Sequence, residues 1–255
     1  AKELENGVTL TFGQFKAPWL REELVDSSQQ LAVERSVVNE FYNQDRSVGI
    51  MATYVTDSWN VAASYNNGQR TALSQGTRYS YFSNNPTDWA VSGRFEYKFM
   101  GDWSDFDSFT SSPDDEEAIM IGVAGMGQKY DDSTIWSGIS VWGLTADISA
   151  KFAGFTLFSS YVWQSYQSDG TQFETWNPWG FILQGGYSLN SDWELFVRYG
   201  EGDANGGIGN QFNIGAQSIT VTWRLLNSTD VIAAESPPEQ IGDGQDANWL
   251  HNQNF

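Results

Sequence analysis

The sequence predicts an all-β protein, an up-and-down antiparallel β-barrel that crosses a membrane with its strands. Three observations carry this. About ten segments alternate apolar and polar residues with the period of two that a strand with one apolar face requires. Short turns and long polar loops take turns along the chain, as in barrels with one short-turn rim and one long-loop rim. Aromatic residues make up 15 % of the chain, with twelve tryptophans, and they gather near strand ends as girdle residues do.

The strands follow in order. In residues 7–13, Val8, Leu10 and Phe12 alternate with Thr9 and Thr11. Residues 46–56 set Val48, Ile50, Ala52 and Tyr54 against Ser47, Gly49, Met51 and Thr53. The turn Thr56-Asp57-Ser58 then leads into Trp59, Val61, Ala63 and Tyr65. After polar residues 67–87 comes the clearest strand, where Trp89, Val91, Phe95, Tyr97 and Phe99 alternate with Ala90, Ser92, Arg94, Glu96 and Lys98. Ile119, Ile121 and Val123 follow the acidic link 101–117. The segments 144–152 and 155–163 join at Ala153-Gly154, and 179–189 joins 193–199 at residues 190–192. Residues 219–225 complete the set.

Long loops (17–45, 67–87, 129–142, 166–178, 202–211) fall on one rim and short turns on the other. The link 101–117 is the exception, long where a short turn is expected. Greek-key crossings would not sort the loops in this way. The alternative is a soluble, Trp-rich carbohydrate-binding β-sandwich, whose exposed aromatics would stack on sugars.

Residues 16–49 hold the one long helix-like pattern and gather Lys16, Arg21, Arg35 and Arg46 in a chain poor in basic residues. Such an insert reads as a segment folded into the barrel mouth to narrow it. It also carries Glu22, Glu23, Asp26, Glu34, Glu40 and Asp45, so its bases are expected to pair internally. Residues 1–226 therefore read as barrel strands with 17–45 as an in-folded constriction loop. Residues 227–255 read as a polar C-terminal segment, an incomplete last hairpin.

If the apolar partners face lipid, the opposite wall carries Arg94, Lys98, Lys151, Arg198 and Arg224 against Glu96, Asp147 and Glu194. Together with Lys16, Arg21, Arg35 and Arg46, these are the candidate pore-lining and constriction residues. The candidate aromatic girdle is Trp59, Tyr65, Trp89, Phe99, Tyr161, Trp163, Trp179, Tyr187, Trp193, Tyr199 and Trp223.

Composition excludes other classes. A net charge of −19 opposes binding to nucleic acid. There is no cysteine, and the one histidine, His251, lies in a polar tail, so no catalytic triad can be assembled. Paired carboxylates such as Glu174 and Glu201 have no spacing that marks a glycosidase. No apolar run reaches the roughly 18 residues of a transmembrane helix. The first residues have no apolar leader, and the start reads as a processed N-terminus or the beginning of a fragment. No cofactor is expected. Asp114–Glu117 and Asp203–Asn205 offer oxygen ligands for a loop Ca²⁺, although solvated acidic loops explain them as well.

At Gly13, Gln14, Phe15, Lys16 and Pro18, then Glu34, Arg35, Ser36, Asn39 and Phe41, then Arg46 and Gly49, the chain resembles the phosphate-selective porin O/P family of bacterial outer membranes. The resemblance implies a homotrimer of barrels with about sixteen strands each, embedded in outer-membrane lipid. It implies a water-filled channel for passive diffusion of ions and small hydrophilic solutes, anions such as phosphate among them. With about ten strands visible, the chain reads as part of such a barrel. The arginine ladder and lysine cluster of the best-known members are not evident, since 67–87 offers only Arg70 and Arg78.

Overall fold

The computed structural model describes residues 1–5, 7–44, 46–68, 87–131, 138–169, 175–190, 193–203, 218–225 and 231–235, the last two stretches by backbone alone. Arg70, Arg78, Glu174, Asn205 and His251 lie outside the described residues. Among the described residues, twelve strands form a single antiparallel sheet in sequence order. They are β1 (Lys2–Glu3), β2 (Val8–Lys16), β3 (Arg46–Val55), β4 (Trp59–Asn66), β5 (Thr87–Met100) and β6 (Ala118–Tyr130). There follow β7 (Ile139–Phe152), β8 (Phe155–Ser168), β9 (Trp179–Ser188), β10 (Trp193–Asp203), β11 (Ser218–Leu225) and β12 (Val231–Glu235). The ten segments read from the sequence are β2 to β11. Among the described residues β1 and β12 do not pair with each other, so the sheet is open there. Among the described residues no second sheet packs on it, which sets aside the sandwich architecture.

The short-turn rim is built by local chemistry. Ala153 and Gly154 both adopt positive φ, 42° and 89°, which lets a two-residue hairpin follow the strand twist. At the other described turn, Thr56 N–H donates to the Trp59 carbonyl at 2.8 Å and Trp59 N–H donates to Thr56 Oγ1 at 3.0 Å.

Alternation gives the sheet two unlike faces. Leu144 on one is 63 % exposed, whereas Phe158 on the other is fully buried. The exposed face carries Phe12, Ile50, Val91, Phe95, Val123, Leu183 and Val197. Aromatics border it in two belts. Tyr65, Trp89, Tyr161, Trp163 and Trp179 lie toward the long-loop rim; Trp59, Phe99, Tyr187 and Trp193 lie toward the short-turn rim. Trp59 stacks near Phe95 at 6.4 Å, and Tyr161 stacks near Trp179 at 6.3 Å. From Trp89 to Phe99 the strand runs about 33 Å, which at a tilt of roughly 40° spans about 25 Å, the height of an outer-membrane apolar band. Among the described residues no helix is long and apolar enough to cross a membrane.

The opposite, inner face is polar and covered. It carries Ser64, Asn66, Arg94, Glu96, Gln128, Asp147, Gln164, Gln184 and Arg198, all buried. What covers it is the insert between β2 and β3. That insert is not the long helix its pattern predicts. It breaks into α1 (Arg21–Leu24), a 3₁₀ turn (Ser27–Gln29) and α2 (Val37–Tyr42), with extended residues at Val25, Gln30 and Asn43. The reason is packing: Trp19, Leu20, Val25, Leu31, Val38 and Tyr42 must all reach the wall, and no single helical face carries that spacing. α2 begins properly, with Ser36 Oγ accepting from Asn39 N–H at 3.0 Å.

Candidate functional site

The site is the contact between the insert and the inner wall. Glycines on inward positions of the strands leave sockets for the insert's large side chains. A Cβ on Gly143 of β7 would stand 2.9 Å from the Trp19 ring, and one on Gly180 of β9 would stand 2.8 Å from both Tyr42 and Val38. On Gly186 it would stand 3.0 Å from Leu31. Trp19, Leu20, Val38 and Tyr42 thus join Met126, Val141, Val162 and Tyr166 in one apolar cluster. Val25 and Leu31 join Phe158, Ile182 and Phe196 in another. Polar ties fix the ends: Trp19 Nε1 donates to the Tyr42 carbonyl at 2.9 Å, and Tyr42 Oη donates to the Trp179 carbonyl at 2.6 Å. Burial, followed by Tyr166 and Asp203, holds the Tyr42 phenol above its ordinary pKa.

At the centre of the wall lies a charge cluster. Arg94 Nε donates to Glu96 at 2.7 Å, and its Nη1 and Nη2 donate to the two oxygens of Asp147, both at 2.8 Å. The guanidinium reaches Asp147 because the residue between Glu96 and Asp147 in the sheet register is Gly122. A Cβ there would overlap the Arg94 guanidinium and stand 2.7 Å from Asp147. Arg94 also donates to the Trp19 carbonyl at 3.1 Å, so the wall's strongest pair holds the insert as well. Arg21 approaches Glu96 at 3.8 Å and donates to the Phe106 carbonyl. Burial pulls the Arg21 guanidinium below its ordinary pKa, an effect that Glu96 opposes and Arg94 reinforces. Buried charges need such partners, since a lone one would cost several kcal/mol, roughly.

The remaining bases serve the broken helix. The Val25 carbonyl accepts from Arg35 at 3.0 Å, Gln30 at 3.1 Å and Lys16 at 3.4 Å, replacing partners that a continuing helix would have supplied. Arg35 pairs with Glu23 at 3.3 Å and Lys16 with Asp26 at 3.2 Å. Glu22 accepts from Ser36 N–H at 2.7 Å and lies 3.6 Å from Arg198. Arg198 in turn donates to Gln184 at 3.0 Å and to the Glu34 carbonyl at 2.8 Å.

The structure therefore brings together Lys16, Arg21, Arg35, Arg94, Glu96, Asp147 and Arg198. Arg46 begins β3 as an exposed residue, directly opposite Lys16 in the β2–β3 register and one position from buried Ser47. Lys98 lies farther toward the short-turn rim, 3.8 Å from Asp102 and over the Trp103 ring. Lys151 donates to Ser108 at 3.2 Å. Glu194 is buried on β10, in register with Arg224 of β11; Trp223 is in register with Leu195. Tyr199 donates to Glu201 at 2.8 Å near the long-loop rim. Among the described residues no group of three or more carboxylates or histidines converges as a metal site.

Sequence reasoning missed the anchors Trp19, Leu31 and Tyr42, and the sockets that receive them. A signal existed. Gly143, Gly180 and Gly186 occupy inward positions where the alternation otherwise supplies polar side chains. Also missed was Trp142, which lies 5.6 Å from Trp89 in the long-rim belt.

A family model described as phosphate-selective porin O and P matches residues 1–219. A comparison with curated proteins returns no match. The match spans β1 to the start of β11 and includes the insert. A polar inner face under a folded-in loop, and an apolar outer face between aromatic belts, are what a channel protein of a bacterial outer membrane requires. The chain belongs to the phosphate-selective porin O and P family.

Proposed function

We propose that the protein forms a water-filled channel for passive diffusion of ions and small hydrophilic solutes, as a homotrimer in the outer membrane, and that residues 17–45 set its constriction. One observation carries this reading. The insert covers the polar face of the sheet and is keyed to it by the sockets at Gly143 and Gly180, so it occupies cross-section that water and solute would otherwise use. The described portion of residues 227–255, β12, pairs antiparallel with β11, which supports reading that segment as an incomplete last hairpin.

Phosphate is among the anions admitted on this reading, and the family's description supports it. The charge arrangement favours weak discrimination. Lys16, Arg21, Arg35, Arg94 and Arg198 all have carboxylate or carbonyl partners within the protein, which limits their pull on a passing anion.

Planar-bilayer recording of the full-length, detergent-folded protein tests the proposal. Stepwise conductance is expected, with a modest reversal potential in a potassium chloride gradient and little block of chloride current by added phosphate. Absence of steps would overturn the channel. Strong phosphate block would overturn weak discrimination. Chemical crosslinking that stops at a monomer would overturn the trimer.

A further inference from the structure

The link 101–117, too long for its rim, folds inward. Phe106 and Phe109 are both buried. Phe106 packs on Ala118 and Met120, while Phe109 lies 4.6 Å from the ring of Phe158 on the inner face of β8. Polar contacts run in the same direction. Ser108 Oγ accepts from Lys151 at 3.2 Å, the Ser111 carbonyl accepts from Ser188 Oγ at 2.6 Å, and Ser111 Oγ accepts from Gly154 N–H at 3.3 Å. The segment thus crosses from the β5–β6 edge to the β7–β8 turn and the end of β9.

There it meets the insert. Phe109 N–H donates to the Gln29 carbonyl at 2.9 Å, and Arg21 donates to the Phe106 carbonyl. Phe109 shares one apolar cluster with Val25 and Leu31 of the insert. Two connections that start from opposite rims are therefore joined over the inner wall.

Their charges differ. Residues 101–117 contain seven carboxylates and no basic residue. Asp107, Asp114, Asp115, Glu116 and Glu117 are exposed while the phenylalanines beside them are buried. Carboxylates held beside a passage act on ions within about a Debye length, ~8–10 Å, so their placement matters more than the net charge.

We infer that residues 101–117 are a second constriction element, latched to the insert through Phe106 and Phe109, and that their exposed carboxylates form an anionic vestibule at the short-turn rim that favours cations. This deepens the channel reading and rests on it. The vestibule opposes the anion preference that the family's description would suggest.

Two variants of the full chain test it in planar bilayers. The surface variant Asp114→Asn, Asp115→Asn, Glu116→Gln and Glu117→Gln removes charge at exposed positions only and keeps an oxygen at 115 to accept from Ser112 N–H. Its cation-to-anion permeability ratio in a potassium chloride gradient is expected to fall about two-fold or more. The variant Phe106→Ala with Phe109→Ala frees the latch and is expected to raise single-channel conductance. An unchanged permeability ratio in the surface variant, with the parent conducting normally, would overturn the vestibule. Unchanged conductance in a latch variant that still folds in detergent and shows channel steps would overturn the latch. If the parent itself shows no channel steps, the channel reading fails and this inference falls with it.

Discussion

Two connections cover the inner wall, and they do so by different means. The insert 17–45 enters from the long-loop rim, seats Trp19, Leu31 and Tyr42 against wall glycines, and ties its bases to its own carboxylates and carbonyls. The link 101–117 enters from the short-turn rim on two phenylalanines and leaves most of its carboxylates in solvent. On the proposed reading, one shapes the passage and the other charges it. Position inside a channel therefore does not by itself assign a role in selectivity. What matters is whether the charges a segment brings are already used.

If the insert's charges are structural, removing their partners should weaken the fold. The largest effect is expected at Asp147→Ala, which strips the bidentate partner from buried Arg94 and should cost about 3–5 kcal/mol, read as a lower urea midpoint in detergent. Arg94→Met with Asp147→Leu should lose less, because the one carboxylate that loses Arg94, Glu96, keeps Asn60 at 3.0 Å and Arg21 at 3.8 Å. A small effect for Asp147→Ala alone would show that water reaches the cluster, and the contrast between the two segments would fail.

Socket filling sharpens the steric half of the comparison. Gly143→Val forces Trp19 from its seat, and overpacking of this kind costs about 1–3 kcal/mol. Its conductance should exceed the parent's, and adding Trp19→Leu should bring conductance and stability back toward the parent. Failure of the second change to rescue the first would place the effect of Gly143 elsewhere.

Arg35→Gln offers a smaller test. The pair with Glu23 is partly exposed, so its loss should cost about 1 kcal/mol or less. Reversal potential should stay unchanged, unlike the response expected from the carboxylates of 101–117. Tyr42→Phe should cost about 1 kcal/mol through the lost bond to Trp179. Since burial raises the phenol's pKa in the folded protein, Tyr42 stabilises fully below the ordinary value of 10.0 and progressively less as pH rises above it. The variant should therefore show a shallower alkaline loss of stability than the parent.

Much of this was legible in the residues. Strands β2 to β11 announce themselves because lipid on one side and water or polar contacts on the other force a strict alternation. β1 is two residues long and β12 is Val-Ile-Ala-Ala-Glu within a polar stretch, so neither carries a readable period. The insert's location was legible too, from its bases and its place between two alternating segments. Its conformation was not, since the segment's charged, helix-like pattern is overridden by the shape of the wall that its apolar residues must fill. The in-folding of 101–117 was visible only as an anomaly of length. What draws the link inward is Phe106 and Phe109, and in sequence these look like two aromatics scattered in an acidic loop.

The central claim is that residues 17–45 narrow a channel. The most direct measurement compares single-channel conductance of the parent with that of a variant whose residues 22–40 are replaced by a short Gly-Ser linker, both folded in detergent and recorded in the same bilayers. The account predicts a clearly larger conductance for the variant. Equal conductance in the two, with both forms folded, would contradict it.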